Sequence, residues 1–144
     1  MIREARIEDR LAVVAMLKRF HAAADLPFHF SPAHAERQFL AYQAAPDRLC
    51  LVTEGDDRPV GVLMAHAVEH PFSGIRMAGE LCWWIDPAHR GHSARSMVAA
   101  YERWAVEQGC AIISLAGLGS DPKPTALYQR LGYQPAELHF SKTL

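Results

Sequence analysis

An α/β fold with a mixed sheet, antiparallel in its first half and parallel in its second, is the fold class this sequence predicts. Two observations carry the prediction. Between residues 49 and 68, two β-patterned runs flank the turn-forming segment Gly55-Asp56-Asp57-Arg58-Pro59, as in an antiparallel hairpin. Between residues 80 and 117, an apolar run, an amphipathic helical pattern and a second apolar run follow in that order. Such a unit closes as a right-handed crossover with its two strands parallel.

The 144 residues suit a single domain spanning 1–144, long enough to bury a core of its own. Half of the residues are apolar and 22% are charged, the balance of a globular chain rather than a disordered one. A formal net charge of -1 provides no broad positive field, so nucleic acid and anionic membranes are not expected partners. Any bound anion must be held locally, by backbone amides and a few basic side chains. Cys50, Cys82 and Cys110 are odd in number and lie in apolar runs, which argues against a disulfide framework and a zinc site. With no signal-like start and no run long enough to cross a bilayer, a cytoplasmic location is expected.

Taken in order, residues 2–7 read as an opening strand, and Glu8-Asp9 as the acidic start of a helix reaching about His21 with Val13, Val14, Leu17 and Phe20 inward. Two prolines mark 25–32 as a loop, and 33–44 has helical spacing with Phe39 and Leu40 inward. The hairpin strands follow at 49–54 and 60–68. A turn at 71–74 leads into an apolar strand, with Glu80-Leu81-Cys82-Trp83-Trp84-Ile85 stopped by Asp86-Pro87. Ala94, Met97, Val98, Tyr101, Trp104 and Ala105 recur at helical spacing, and Gly109 ends that helix. Residues 110–117 read as a strand covered on both faces, 124–131 as a short helix tolerating Pro124 in its first turn, and 133–143 as one or two closing strands.

The chemistry concentrates after Ile85, where Arg90-Gly91-His92-Ser93-Ala94-Arg95 leads from strand into helix. The first amides of a helix lack intrahelical partners and sit at the positive end of its dipole. Small residues let an anion approach them, and Arg90 and Arg95 can add charge-assisted bonds to a pyrophosphate.

This segment resembles the GNAT superfamily of N-acetyltransferases, whose signature here is Arg/Gln-x-x-Gly-x-Gly/Ala. The approach Ile85-Asp-Pro-Ala-His-Arg-Gly91 matches, whereas Ser93 and Arg95 stand where glycines are expected. Ala126-Leu127-Tyr128-Gln129-Arg130-Leu131-Gly132-Tyr133 is similar to a second family motif, and Ile2-Arg3-x-Ala5 with Glu8-Asp9 to the family's opening. The three stand in family order across essentially the whole chain.

The resemblance implies the GNAT fold, a mixed sheet of about six to seven strands flanked by about four helices. It further implies transfer of an acetyl group from acetyl-CoA to a primary amine of an unidentified acceptor, small molecule or protein, by direct attack on the thioester. The pyrophosphate would lie on Arg90, Gly91, His92, Ser93, Ala94 and Arg95. Backbone amides near Trp84 and Ile85 would polarise the acetyl carbonyl, where preorganised donors act most strongly. Tyr128 matches the tyrosine that returns a proton to the coenzyme A thiolate, and Glu80 is a candidate base for the amine. The acceptor pocket would be built by about residues 21–45, which carry Phe28, His29, Phe30, His34 and Tyr42.

Plainer readings stand beside these. Arg90 to Arg95 also reads as a polar turn and helix cap, Tyr128 as a ring packed on the sheet, and Glu80 as a solvated or salt-bridged strand residue. Trp83 and Trp84 point to opposite faces of their strand, one to the core and one to a groove. The pairs His66/His70 and His89/His92 lack the carboxylate or cysteine that would complete a metal site. Ser114 and Cys110 lack a base partner for a nucleophilic triad, and Gly117-Leu118-Gly119 reads as a turn. From another functional class, a non-catalytic acyl-CoA-binding or protein-interaction module would also fit the altered glycine positions. Exposed apolar strands near the C-terminus point to a possible homodimer.

Overall fold

The computed structural model describes residues 1–117 and 122–144. Strand β1 (Ile2–Glu4) leads through a single 3-10 turn (Ile7–Asp9) into helix α1 (Arg10–Ala23) and then α2 (Pro32–Ala44). The long strands β2 (Arg48–Gly55), β3 (Arg58–Glu69) and β4 (Arg76–Ile85) follow, then α3 (His92–Glu107), β5 (Cys110–Ser114) and α4 (Pro122–Arg130). The sheet order is β1-β2-β3-β4-β5, antiparallel through β4 and parallel between β4 and β5. Both halves of the predicted class are therefore present. Among the described residues no helix is long and apolar enough to cross a membrane.

Each sheet face buries against helix. On one, Val13 and Met16 of α1 and Phe39 and Tyr42 of α2 pack on Val52, Val62, Met64, Cys82 and Trp84. On the other, Met97, Tyr101 and Trp104 of α3 pack on Leu51, Leu63, Ala65 and Ile85. This is the stripe read from the spacing of α3. In α2 the buried stripe is Ala35, Phe39 and Tyr42, at i, i+4 and i+7, so Leu40 falls outside it and is 38% exposed. The β2–β3 hairpin turns on Asp56 and Asp57, both at positive φ (53° and 57°), the geometry that matches strand twist in a two-residue loop.

The start of α1 departs from expectation. Asp9 does not cap the helix: its carboxylate takes two bonds from Arg3 (2.7 and 3.0 Å) and one from the amide of Arg6 (2.7 Å). The Arg3 bonds hold this buried carboxyl below its ordinary pKa despite burial. By contrast α2 begins as predicted, with Ser31 Oγ accepting from the amide of His34 (3.3 Å) and Pro32 in the first turn.

Two further expectations are corrected. Strand β5 is not covered on both faces, since Ile112, which alternates away from the α3 face, is exposed, as is Ala111. Residues 133–144 form no strand, so the sheet has five strands among the described residues rather than six to seven. The apolar alternation of that segment is real, but it meets no neighbouring edge with which to pair.

Candidate active site

β4 pairs with β3 along nearly its whole length, but with β5 only from Arg76 to Gly79. The last rung, Gly79 opposite Ser114, is tied by Ser114 Oγ donating to the carbonyl of Ala78 (3.2 Å). Beyond it the strands part, and among the described residues the edge of β4 from Glu80 to Ile85 that faces away from β3 has no strand beside it. At that point Cys82 pairs with Met64 and Glu80 with Ala65, leaving Leu81 as an extra bulged residue that bends β4. Asp86 donates its amide to Val60 (2.8 Å), so by alternation the amides of Trp84 and Cys82 face β3. Those of Trp83 and Ile85 face the gap.

Glu80 and Tyr128, far apart in sequence, meet on one residue across this gap. Glu80 Oε2 accepts from the amide of Ala116 (3.0 Å), while the hydroxyl of Tyr128 donates to the carbonyl of Ala116 (2.9 Å). Trp83 stacks on Tyr128 at 6.2 Å between ring centres, with its Nε1 buried and without a hydrogen-bond partner among the described residues. Burial pushes the Glu80 carboxyl up to about 7, against the lowering effect of the Ala116 bond. Burial first, and the Glu80 carboxylate second, hold the Tyr128 proton on well above the ordinary phenol range. A carboxyl that exchanges its proton near neutrality thus lies close to a phenol that keeps its own.

The register assigns the two tryptophans. Trp84 enters the core beside Phe20 (6.5 Å, edge-on), and its Nε1 donates to Asp86 Oδ1 (2.8 Å). The buried Asp86 carboxylate also accepts two bonds from Arg19 of α1 (2.9 and 3.2 Å). Arg90 lies over the Trp84 ring at 5.1 Å and donates from Nε to the carbonyl of Ile85 (3.0 Å), bracing the turn. Gly91 then takes φ +107°, ψ -112°, a conformation that side-chain-bearing residues rarely adopt. The first bond of the following helix is donated by Ala94 to the Gly91 carbonyl (3.1 Å), so the amides of His92 and Ser93 precede the ladder. Arg95 is exposed on the first turn of α3, and His92 is engaged with Ser96 Oγ (3.4 Å).

On the α1/α2 side of the bulge lies an apolar pocket of about 190 Å³, with Leu17, Phe20, Phe30, Met64, Leu81 and Cys82 among its lining. His21 also lines it and lies edge-on to Phe28 (5.3 Å). The Nε2 of His21 is buried and has no partner among the described residues. A larger cavity of about 320 Å³, lined by Tyr42, Arg48, Trp104 and Gln108, lies away from the gap.

The sequence-predicted residues thus divide. Glu80, Trp83 and Tyr128 converge, and Ile85 and Gly91 to Ala94 stand at the mouth of the gap, whereas Arg90 is held back as a brace and Arg95 stands on the surface. His66 is engaged with Tyr42 (3.0 Å), and His70 accepts from the amide of Phe72 (3.2 Å). Leu118 and Gly119 of the Gly-x-Gly segment lie outside the described residues. Sequence reasoning passed over Asp86, which it read as a strand stop, although an acid next to a Pro-led turn is a visible signal. It also passed over the Leu81 bulge, which has none.

The sequence profile of the acetyltransferase (GNAT) family matches residues 15–133. No curated protein matches the chain. A mutant form of the BH1408 protein from Bacillus halodurans superposes with a TM-score of 0.85 at 19% identity, over 100% of this chain and 99% of that one. A predicted acetyltransferase with acetyl-CoA from Clostridium acetobutylicum gives 0.81 at 17% identity, over 99% and 95%. Ribosomal-protein-alanine N-acetyltransferase from Brucella melitensis biovar Abortus 2308 gives 0.74 at 15% identity, over 100% and 99%. At these identities the likeness is one of fold.

Proposed function

This chain belongs to the GNAT family of acetyltransferases, whose work is acyl transfer from acyl-CoA, and from that premise we propose an N-acetyltransferase acting on a primary amine with a compact apolar substituent. We take all 144 residues as one catalytic domain, working in a reducing compartment that suits its free cysteines. The observation that carries the reading is the unpaired edge of β4 from Glu80 to Ile85, with Glu80 and Tyr128 meeting on Ala116 beside it.

The residues present fit acetyl-CoA. Two gap-facing amides, Trp83 and Ile85, and the Trp83 Nε1, which is buried and without a partner among the described residues, are donors that such a ligand would engage. The Gly91 conformation exposes the amides of His92 and Ser93 at the positive end of α3, and Arg95 adds charge on the same turn. Acetyl-CoA supplies an acetyl group activated as a thioester. The chain supplies the rest. Trp83 and Ile85 amides serve as the carbonyl-polarising donors, with Trp84, whose amide faces β3, as the wall behind them. Glu80, half ionised near neutral pH, receives the proton of the attacking amine, directly or through water. Tyr128 keeps its proton at working pH and would present its hydroxyl, as hydrogen-bond and proton donor, to the departing sulfur.

The pocket at the bulge supports the acceptor class. Its apolar lining reaches Leu81 and Cys82, and an engineered cavity of about 150 Å³ holds a benzene ring, so about 190 Å³ fits a single ring or a branched alkyl group. His21 Nε2 offers that substituent one polar contact.

Calorimetric titration with acetyl-CoA, followed by a panel of amines, tests the reading. Wild-type protein is expected to bind, and Gly91→Ala to bind about tenfold more weakly, the equivalent of the roughly 1–2 kcal/mol of strain that a Cβ meets in the left-handed region. Arylalkyl and branched alkyl amines are expected to outpace polyamines. Absence of binding defeats the acyltransferase reading; binding with no turnover of any amine points instead to a non-catalytic acyl-CoA module.

A further inference from the structure

The cavity of about 320 Å³ lies on the β1–β2 side of the sheet, whereas the gap opens beyond β4. Its floor is apolar and buried: Ala5, Leu49, Cys50 and Trp104 are each no more than 8% exposed. Its rim is charged, with Glu4 from the end of β1, Arg48 from the start of β2 and Glu107 from the end of α3. A volume of this size stands at the lower end of the range for small-molecule sites, and an apolar floor under a few convergent polar groups is their usual composition.

The charges on this rim do not satisfy one another. Among the described residues no ion pair joins Arg48 to Glu4 or Glu107, although all three line the same cavity. The Arg48 guanidinium instead lies over the Tyr42 ring at 4.9 Å, and the Tyr42 hydroxyl is engaged with His66 Nδ1 (3.0 Å), so the ring beneath the cation is itself held. A guanidinium placed over a ring leaves its N–H donors for a carboxylate. The last turn of α2 adds acceptors. Pro46 has no amide to offer the carbonyl of Tyr42, and Arg48 donates its amide to Ala45 (3.2 Å) rather than to Ala44. The carbonyls of Tyr42 and Ala44 thus stand at the negative end of α2 without a backbone donor among the described residues.

We infer that this cavity is a second binding site, separate from the gap, for a small zwitterion that carries an ammonium and a carboxylate on one short carbon frame, as a free amino acid does. Its carboxylate pairs with Arg48, its ammonium is drawn to Glu4, Glu107 and the carbonyls that end α2, and its side chain rests on the apolar floor. A simple anion would face two carboxylates and a simple amine would face a guanidinium, so the rim selects the molecule that bears both charges. Gln108 shares this rim, donating to the carbonyl of Pro46 (3.0 Å) and accepting from Arg76 at the start of β4 (3.4 Å). An occupant therefore joins α2, α3 and β2 at a point already tied to β4.

The inference does not depend on the proposed activity, and its test reads no activity. Amide chemical shifts of the isotope-labelled protein are followed as glycine, leucine, glutamate and lysine are added in turn, with butylamine and butyrate as the two separate halves. At least one amino acid should give saturable shifts within residues 43–49 and 104–109 and bind about tenfold or more tightly than either half. Arg48→Gln and Glu107→Gln each alter an exposed side chain, so both should keep the rest of the spectrum in place and weaken binding about tenfold. The absence of saturable shifts at these amides overturns the inference. So does a site that takes butylamine or butyrate as tightly as any amino acid, binding indifferent to both substitutions, or shifts confined to residues 80–85, which would assign the ligand to the gap.

Discussion

Replacing Glu80 by glutamine removes a titration while leaving an oxygen to accept from the Ala116 amide, now at 3.0 Å. Burial raises the carboxyl from an ordinary 4.5 to about 7, so the folded chain binds this proton more tightly than the unfolded chain does. The stabilisation linked to it is complete below about pH 4.5 and is lost as the pH rises through about 7. At about 1.4 kcal/mol per pH unit the interval corresponds to about 3 kcal/mol, trimmed to about 2–3 kcal/mol because the side chain is only partly shielded from water. For a chain of this length that amounts to about 6–10 °C in Tm. Thermal melts of wild type and Glu80→Gln at matched buffers from about pH 5 to about pH 8 isolate it, since every other titration is common to both. Relative to the variant, the wild-type Tm should fall across that range. In parallel, kcat/KM of the wild type should rise with an apparent pKa about 7 while the variant loses that limb. Parallel Tm curves would refute the argument that burial of this carboxyl sets its proton affinity.

Tyr128→Phe removes the hydroxyl that donates to Ala116 but keeps the ring stacked on Trp83; kcat should drop about 100-fold or more with acetyl-CoA KM within about twofold, and an unchanged kcat excludes the phenol from proton transfer. Asp86→Ala leaves the buried Trp84 Nε1 without its acceptor and frees Arg19, so urea denaturation should show a loss of about 2–4 kcal/mol, partly restored in Asp86→Asn; a loss below about 0.5 kcal/mol would mean that the contact is slack.

What could be read from the sequence was whatever repeats with a period or breaks a backbone rule. The stripe of α3 is legible because Met97, Tyr101 and Trp104 recur on one face, and the turn before it because Gly91 holds a conformation that other residues avoid. Leu40 was misplaced because an apolar residue next to Phe39 fits either flank of a helical stripe until the neighbouring helix is known. Residues 133–143 were read as one or two closing strands and form none, because a strand needs a partner and alternation carries no information about which edge is available. In the site, Glu80 and Tyr128 were both named, while their meeting on Ala116 was not. That meeting depends on β4 and β5 parting after Gly79, next to the Leu81 bulge, and no residue type announces either. Arg90 shows the opposite limit. Its charge was legible, but its use as a brace depends on the carbonyl of Ile85 and the ring of Trp84 being within reach.

The Arg19–Asp86 bridge has a mechanical meaning. It fastens the middle of α1, one wall of the apolar pocket, to the residue at which β4 hands over to the turn braced by Arg90. A guest that displaced α1 would pull on the turn through these bonds, and one that stiffened the turn would restrain α1. Coupling of this kind is reciprocal, so whatever factor one occupant imposes on the other's affinity is returned unchanged. The bridge is a lever with its fulcrum at Asp86, and the order in which two ligands arrive cannot alter the total work done on it.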